Sequence, residues 1–275
     1  MKEKEEYFIY VPRQFVRDNS EMELDLRKGI LLAFCFIKRF STANGEFLGR
    51  LNDIMDDLGL HYDKSKTAQL PKRINVFIKG LDYLIDSEFV TLVKGNYHNI
   101  DERFLLQINN INYSKGYVLL RYSNFDYILN IGKRLDKAGL LDTLLFVSSF
   151  YNCIDNGCEK KTFIVCSYSL DKLAEMMNIN RITLYTYLNN LSVEQGYKGT
   201  APLVKSKIWN MVIGERIIRF PSIYVENTND AIEKIEFQKK YIKRKLSVGN
   251  MNEMNDLDEL FYNPHYDDEE INNLF

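Results

Sequence analysis

Apolar residues recur along this chain at two spacings. Helical spacing marks Leu24 to Phe40 (Leu26, Ile30, Leu31, Phe34, Ile37), a mostly buried helix. It also marks Phe47 to Leu58, where Leu48, Leu51, Ile54, Met55 and Leu58 share a face and Gly59 provides the stop. A third helix is predicted from Pro71 to about Ile85, with Ile74, Phe77, Ile78, Leu81 and Leu84 as its apolar stripe. Lys72, Arg73, Asn75, Val76 and Lys79 lie largely off that stripe. Phe8 to Val11, ended by Pro12, reads as a strand or extended lead-in. Phe89 to Val93 and Phe104 to Ile108 alternate like two strands around the hydrophilic loop Lys94 to Arg103.

The same order begins again at Tyr117. Tyr117 to Leu120 is a second lead-in, and Phe125 to Leu129 a short element after it. Leu135 to Cys153 is a long, mostly apolar helix that matches Leu24 to Phe40; LDLRKGILLAF and LDKAGLLDTLLF look alike by eye. Phe163 to Cys166 reads as a strand. Leu203 to Trp209 and Arg216 to Phe220 read as a closing hairpin, with Met211 to Gly214 near its tip. The pattern is that of a duplication, two copies of one fold joined around Asn109 to Gly116. Asn229 to Leu246 is helix-compatible and basic (Lys234, Lys239, Lys240, Lys243, Arg244, Lys245) and would pack through Ile232, Ile235, Phe237 and Ile242.

Between the second long helix and the closing hairpin stands SLDKLAEMMNINRITLYTYLNNL, Ser169 to Leu191. It reads as two short helices around a three-residue turn. Leu173, Met177, Ile179, Leu184 and Tyr187 take the inward positions, and Ala174 sits where the helices cross. Asn178 occupies the position that needs a left-handed backbone, which Asn tolerates better than most residues. Ser169 and Asn180 each precede a helix as N-caps. This is a helix-turn-helix pattern. Its second helix turns outward Arg181, Thr183, Tyr185, Thr186 and Asn189, a polar, donor-rich set without carboxylates, as entry into a major groove requires.

Composition narrows the class. The apolar fraction of 45% and charged fraction of 27% are those of a soluble globular protein of two ordinary domains. The apolar run Gly29 to Ile37 is too short to cross a bilayer and the start Met-Lys-Glu-Lys-Glu-Glu is no signal peptide, so a cytoplasmic location is expected. Cys35, Cys153, Cys158 and Cys166 lack metal-ligand spacing and read as reduced core residues. The net charge of −2 hides an asymmetry: residues 248–275 hold eight acids and no Lys or Arg, which leaves 36 bases against 30 acids, or +6, on the rest. A basic body with an acidic tail is compatible with binding a polyanion.

Three helices followed by a β-hairpin is the winged-helix arrangement. On that architecture and the helix-turn-helix spacing, roughly residues 7–225 resemble the tandem winged-helix replication initiators of bacterial plasmids and other mobile elements. The resemblance implies an α+β, helix-rich fold with a first winged-helix domain over 1–110 and a second over 111–227; beyond it, the sequence pattern predicts a basic helix over 228–247 and, by composition, a disordered acidic C-terminal tail over 248–275. It implies a sequence-specific double-stranded DNA-binding protein; the sequence adds replication proteins as partners through the C-terminal tail, leaves the oligomeric state open with a homodimer as one form, and leads to the expectation of no membrane and no cofactor. Carried over residue by residue, the second reading helix is Arg181 to Asn189, capped by Asn180. The first is Pro71 to Asp82, where about ten residues replace the tight turn after Gly59, so phosphate contact is the role expected of Lys64, Lys66, Lys72, Arg73, Asn75 and Lys79. Lys205 and Lys207 on the second hairpin are expected to do the same. Alternatives are a transcriptional regulator, a partition or transfer accessory factor, and a winged-helix protein-interaction module.

In the acidic tail, Leu257-Asp-Glu-Leu-Phe261 and Ile271-Asn-Asn-Leu-Phe275 share one pattern. Leu257, Leu260, Phe261, Leu274 and Phe275 have no core of their own and resemble short Leu-Phe peptides that dock on a sliding clamp. Autoinhibition by the eight carboxylates and simple solubilisation are the other readings. No Walker-type loop and no GxGxxG after a strand occur, and His61, His98 and His265 are scattered. No metal site and no enzymatic activity are expected.

Overall fold

A computed structural model describes residues 7–17, 22–60, 72–132, 135–151, 153–154, 165–207, 209–213 and 216–248. Side chains at 72, 153–154, 211, 213, 216, 218 and 245–248 are not described. The fold is α+β, with helices and several small sheets. In order it runs β1 (Phe8–Pro12), α1 (Arg13–Val16), α2 (Leu24–Phe40), β2 (Glu46–Arg50), α3 (Leu51–Asp57), α4 (Lys72–Asp86), β3 (Val90–Lys94) and β4 (Arg103–Ile108). There follow β5 (Tyr117–Arg121), α5 (Tyr122–Asn130), α6 (Lys137–Ser148), β6 (Cys153–Ile154), α7 (Leu170–Met177), α8 (Arg181–Leu191) and β7 (Ser192–Glu194). The order closes with β8 (Leu203–Lys205), β9 (Asn210–Ile213), β10 (Arg216–Arg219), β11 (Tyr224–Glu226) and α9 (Ala231–Val248). No helix among the described residues is long and apolar enough to cross a membrane.

The chain forms two compact units, Met1–Gly157 and Cys158–Phe275. The sequence placed the joint earlier, at 110/111. The difference has a physical cause: β5, α5 and α6, expected to open the second copy, pack on the first. α6 is buried at every position, so it needs neighbours on all sides. α2 is buried from Arg27 through Ile37 and packs against both α4 and α6. Its crossing with α4 rests on two glycines. A Cβ at Gly80 would overlap the Gly29 backbone, and one at Gly29 would overlap the Val76 carbonyl. The rings of Phe36 and Phe77 meet edge-on at 5.9 Å beside that crossing.

The two strand–short helix–long helix segments face each other within the first unit. β1 pairs antiparallel with β5, from Phe8 opposite Arg121 to Pro12 opposite Tyr117. At the end of α2, Arg39 grips Asp126 of α5 with two hydrogen bonds of 2.9 Å. At the end of α1, Arg17 donates to Ser149 beyond α6 at 2.6 Å. At the centre, Arg27 donates to both Asp142 oxygens, at 3.1 and 2.8 Å, and both residues are buried. Burial raises the Asp142 carboxyl above its ordinary value, and Arg27 pulls it back.

Local pattern and structure part at three places. Phe47 to Leu58 was read as one helix, but its first residues form β2, which pairs with β4 in the sheet order β2-β4-β3. Leu135 to Cys153 was read as one helix, but α6 stops at Ser148 and Cys153 turns back to pair with Val118. The closing hairpin was read as Leu203–Trp209 with Arg216–Phe220. Instead β9 pairs with β10, while β8 lies between β7 and β11. Cys35 and Cys166 are buried, and burial pushes the Cys35 thiol up. Lys64, Lys66, Cys158, the start of the expected Phe163–Cys166 strand, and the acidic tail with Leu257, Leu260, Phe261, Leu274 and Phe275 lie outside the described residues.

Gly80→Ala is expected to destabilise the protein by about 3 kcal/mol in urea unfolding, because backbone rather than side chain must move. Arg27→Ala is expected to cost about 3–5 kcal/mol by stranding a buried carboxylate. The double change Arg27→Met with Asp142→Leu is expected to cost far less.

Candidate nucleic-acid interface

The helix–turn–helix of the second unit is built from three local hydrogen-bond signals. Ser169 Oγ accepts from the Lys172 N–H at 3.1 Å and starts α7. Asn178 ends it in the left-handed region, φ 54° and ψ 46°. The Asn178 and Ile179 N–H groups donate back to the Glu175 and Ala174 carbonyls, each at 3.0 Å, so the last turn of α7 is closed without water. Asn180 Oδ1 then accepts from the Ile182 N–H at 2.8 Å and starts α8. Leu173, Ala174, Met177, Leu184, Tyr187, Leu188 and Leu191 are buried between the two helices and the rest of the unit. Ile179 is half-buried.

The opposite face of α8 is as the sequence implied. Arg181, Tyr185, Thr186 and Asn189 are exposed and Thr183 is half-buried. Arg181 is held by Asp171 of α7, Nε to Oδ1 3.1 Å, an exposed pair of little net strength. The Thr186 hydroxyl donates to the Ile182 carbonyl at 2.9 Å, so it is turned toward its own helix. α8 carries no carboxylate. The two acids of α7 that border it, Asp171 and Glu175, are each paired with a cation, Arg181 and Lys172.

Beside α8 rises a sheet whose first strand is only an isolated bridge. Cys166, just before α7, pairs with Tyr224 of β11, and β11 pairs antiparallel with β8. Lys205 at the end of β8 places its ammonium 5.9 Å from the Tyr185 ring centre and so adjoins the outward face of α8. Lys207, two residues on, is exposed. The chain then runs out as β9–β10. Trp209 and Phe220 stack at 4.2 Å to close the base of that hairpin, with Trp209 Nε1 donating to the Pro221 carbonyl at 3.2 Å. Asn210 and Arg219 are opposite each other and exposed, and Val212 and Ile217, also opposite, are 68% and 72% exposed.

Five exposed residues here were not anticipated from sequence: Ile182, Asn210, Val212, Ile217 and Arg219. Ile182 is 75% exposed at the start of α8, two positions before the buried Leu184, where helical geometry turns it away from the core. The hairpin residues become readable only when Asn210 is known to face Arg219, since the alternation then assigns each side chain to a face.

In the first unit the expected cationic cluster is described in part. Asn75 and Lys79 are exposed one turn apart on α4, while Ile74, Phe77, Leu81 and Leu84 are buried. Arg73 donates Nη1 to the Leu135 carbonyl at 3.0 Å. It borders a cavity of about 220 Å³ with Lys28 and Asp136, themselves 3.5 Å apart. Arg73 is thereby tied to the entry of α6. Lys72 belongs to the first turn of α4.

The basic helix α9 buries Ala231, Ile235, Gln238, Tyr241 and Ile242, and packs on β11; Ile232, expected inward, is exposed. Lys234 is paired with Asp230 at 2.9 Å. Lys239 bonds Glu236 at 2.9 Å and the Gln195 amide oxygen at 3.2 Å. The hydrogen bond from Gln195, then that from Lys239, hold the Glu236 carboxyl below its ordinary value. Lys240, Lys243 and Arg244 face solvent at the far end of the helix.

Comparison with protein-family models, with curated proteins and with solved structures found no match to this chain.

Leu184→Ala is expected to destabilise the second unit by about 2–5 kcal/mol, since it empties a fully buried position. Asn178→Val is expected to cost about 1–2 kcal/mol for its left-handed backbone, and Asn178→Gly close to nothing. Chemical denaturation of the three variants checks both the core and the turn.

Proposed function

We propose that this protein binds double-stranded DNA sequence-specifically through two winged-helix copies, and that it acts as an origin-binding replication initiator of a plasmid or other mobile element. The observation that carries the reading is the capped α7–α8 pair. Its left-handed turn presents a carboxylate-free helix face beside Lys205. Such a face offers donors to base edges and no charge that repels phosphate.

The sheets support two copies of one arrangement. In the first, the strand before the helix pair, β2, joins the last strand β4, and β4 joins β3. In the second, Cys166 joins β11, and β11 joins β8, with β9–β10 as an extension between those two strands. Each copy is then a helix pair followed by paired strands, which is the second half of the winged-helix order; in the second copy the long helix that would precede them, α6, groups with the first unit. In this reading α8 enters the major groove, and Lys205 and Lys207 contact phosphate. α4 presents Asn75 and Lys79 to the backbone, with Arg73 restrained by Leu135.

Ile182 and Tyr185, both exposed on α8, favour one alternative, a winged helix that docks another protein through an apolar contact. Salt separates the two. DNA binding through six or more phosphates loses about 10³ in affinity between 50 and 200 mM salt, and an apolar protein contact does not. Initiation is separated from transcriptional control, or partition or transfer work, by the selected DNA: iterated repeats favour the first and one palindrome the second.

Arg181→Ala is expected to remove about 1–3 kcal/mol of discrimination at one base position and to leave thermal stability unchanged. Binding assays on a library of single-base variants of the selected site read this directly. Lys205→Glu with Lys207→Glu is expected to weaken all sequences evenly and to lower the salt slope by about two. Specificity that survives Arg181→Ala intact would assign the reading face elsewhere.

A further inference from the structure

The outward face of the β1–β5 pair is aromatic where a solvent-facing sheet is ordinarily polar. Ile9, Val11, Val118 and Leu120 fill the inner face. The register sets Phe8 opposite Arg121, Tyr10 opposite Leu119 and Pro12 opposite Tyr117 on the outer one. The Arg121 guanidinium lies 5.5 Å over the Phe8 ring. Tyr10 meets Tyr117 at 5.1 Å, and Tyr113 leans on both at 6.4 and 5.6 Å with its hydroxyl on the Tyr10 carbonyl at 3.3 Å. Tyr7, just before β1 and by alternation on the Ile9 side of the strand, stands 5.9 Å from Tyr122 and joins Tyr10 in lining the groove at the strand edge. These rings are braced by one another yet open to solvent: Tyr7 is 59% exposed and Tyr10 47%.

β1 is an edge strand, and along it opens a groove of about 720 Å³ bounded by Tyr7, Tyr10, Tyr113, Tyr122, Lys38 and Arg39. Among the described residues, no carboxylate lines it. Arg39 lies 4.6 Å over the Tyr122 ring, held there by its two bonds to the half-buried Asp126 of α5. Rigid, half-exposed rings beside fixed cations are the chemistry that takes unpaired bases: each base has a π-face for a ring, and the backbone follows the charge. Paired bases stack on one another and have no face to give. We propose that this groove binds single-stranded nucleic acid by stacking bases on Tyr7 and Tyr10, with Lys38, Arg39 and Arg121 beside the backbone. The five residues of β1 span about 16 Å, room for a few nucleotides.

The proposal does not rest on duplex recognition by α8, which belongs to the other compact unit. The test uses the full chain and fluorescent 15-mers at 50 mM salt, read by anisotropy. Oligo-dT is expected to bind, and an abasic 15-mer of equal charge to bind about tenfold or more weakly. Tyr7→Ala with Tyr10→Ala is expected to weaken oligo-dT binding by about tenfold or more, while Tyr7→Phe with Tyr10→Phe retains it, since the ring and not the hydroxyl stacks. Oligo-rU bound as well as oligo-dT would mean that bases alone are recognised, and a clear preference would name DNA or RNA as the source. No binding of oligo-dT, equal binding of the abasic strand, or an alanine variant indistinguishable from the native chain would each overturn the proposal.

Discussion

Two glycines let the first unit close. α2 is buried along eleven consecutive residues, which no amphipathic helix can be unless neighbours approach from several directions. Gly29 and Gly80 remove the side chains that would hold α4 away, so the two backbones touch and the flanking Phe36 and Phe77 interlock beside them. With α4 drawn in on one side, α6 and β1 also pack on α2. What α4 shows to solvent follows from this contact. Its apolar stripe is spent on the core, and Asn75 and Lys79 are left outside.

An interface this apolar admits many sliding arrangements, and the buried Arg27–Asp142 pair limits them. Its two hydrogen bonds are satisfied in one register of α2 against α6. Lys137 has a related role at the head of α6, where its ammonium reaches the carbonyls of Asp57 and Leu129. The flanking contacts of Arg39 with Asp126 and Arg17 with Ser149 are cross-linked in matching fashion. These contacts tie β1–α1–α2 to β5–α5–α6, which is why β5, α5 and α6 group with the first unit.

What could be read from the sequence was what local physics decides. Leu24–Phe40 was bounded correctly because its apolar density begins and ends within the helix. The α7–α8 pair was legible to the residue because Ser169, Asn178 and Asn180 each act within four residues of themselves. β2 was lost to a helix because Leu48, Leu51 and Leu58 satisfy a helical count, whereas the pairing of β2 with β4 is made to residues far along the chain. The hairpin was shifted for the same reason: Leu203–Lys205 is a good strand by composition, but only β7 and β11 decide its partners. At the candidate site, the outward set on α8 was foreseen, while the Asp171 pairing of Arg181, the Lys205–Tyr185 contact and the exposed Val212 and Ile217 all depend on tertiary geometry.

The central claim is that the outward face of α8 reads base edges in a major groove. Methylation interference on a duplex selected by the protein tests it most directly, because guanine N7 lies in that groove and is the edge a bidentate arginine needs. The account predicts that methylating one or more guanine N7 positions within the selected site abolishes binding, and that the pattern recurs wherever the site repeats. Binding that tolerates N7 methylation throughout, or a chain that selects no duplex sequence at all, would contradict it.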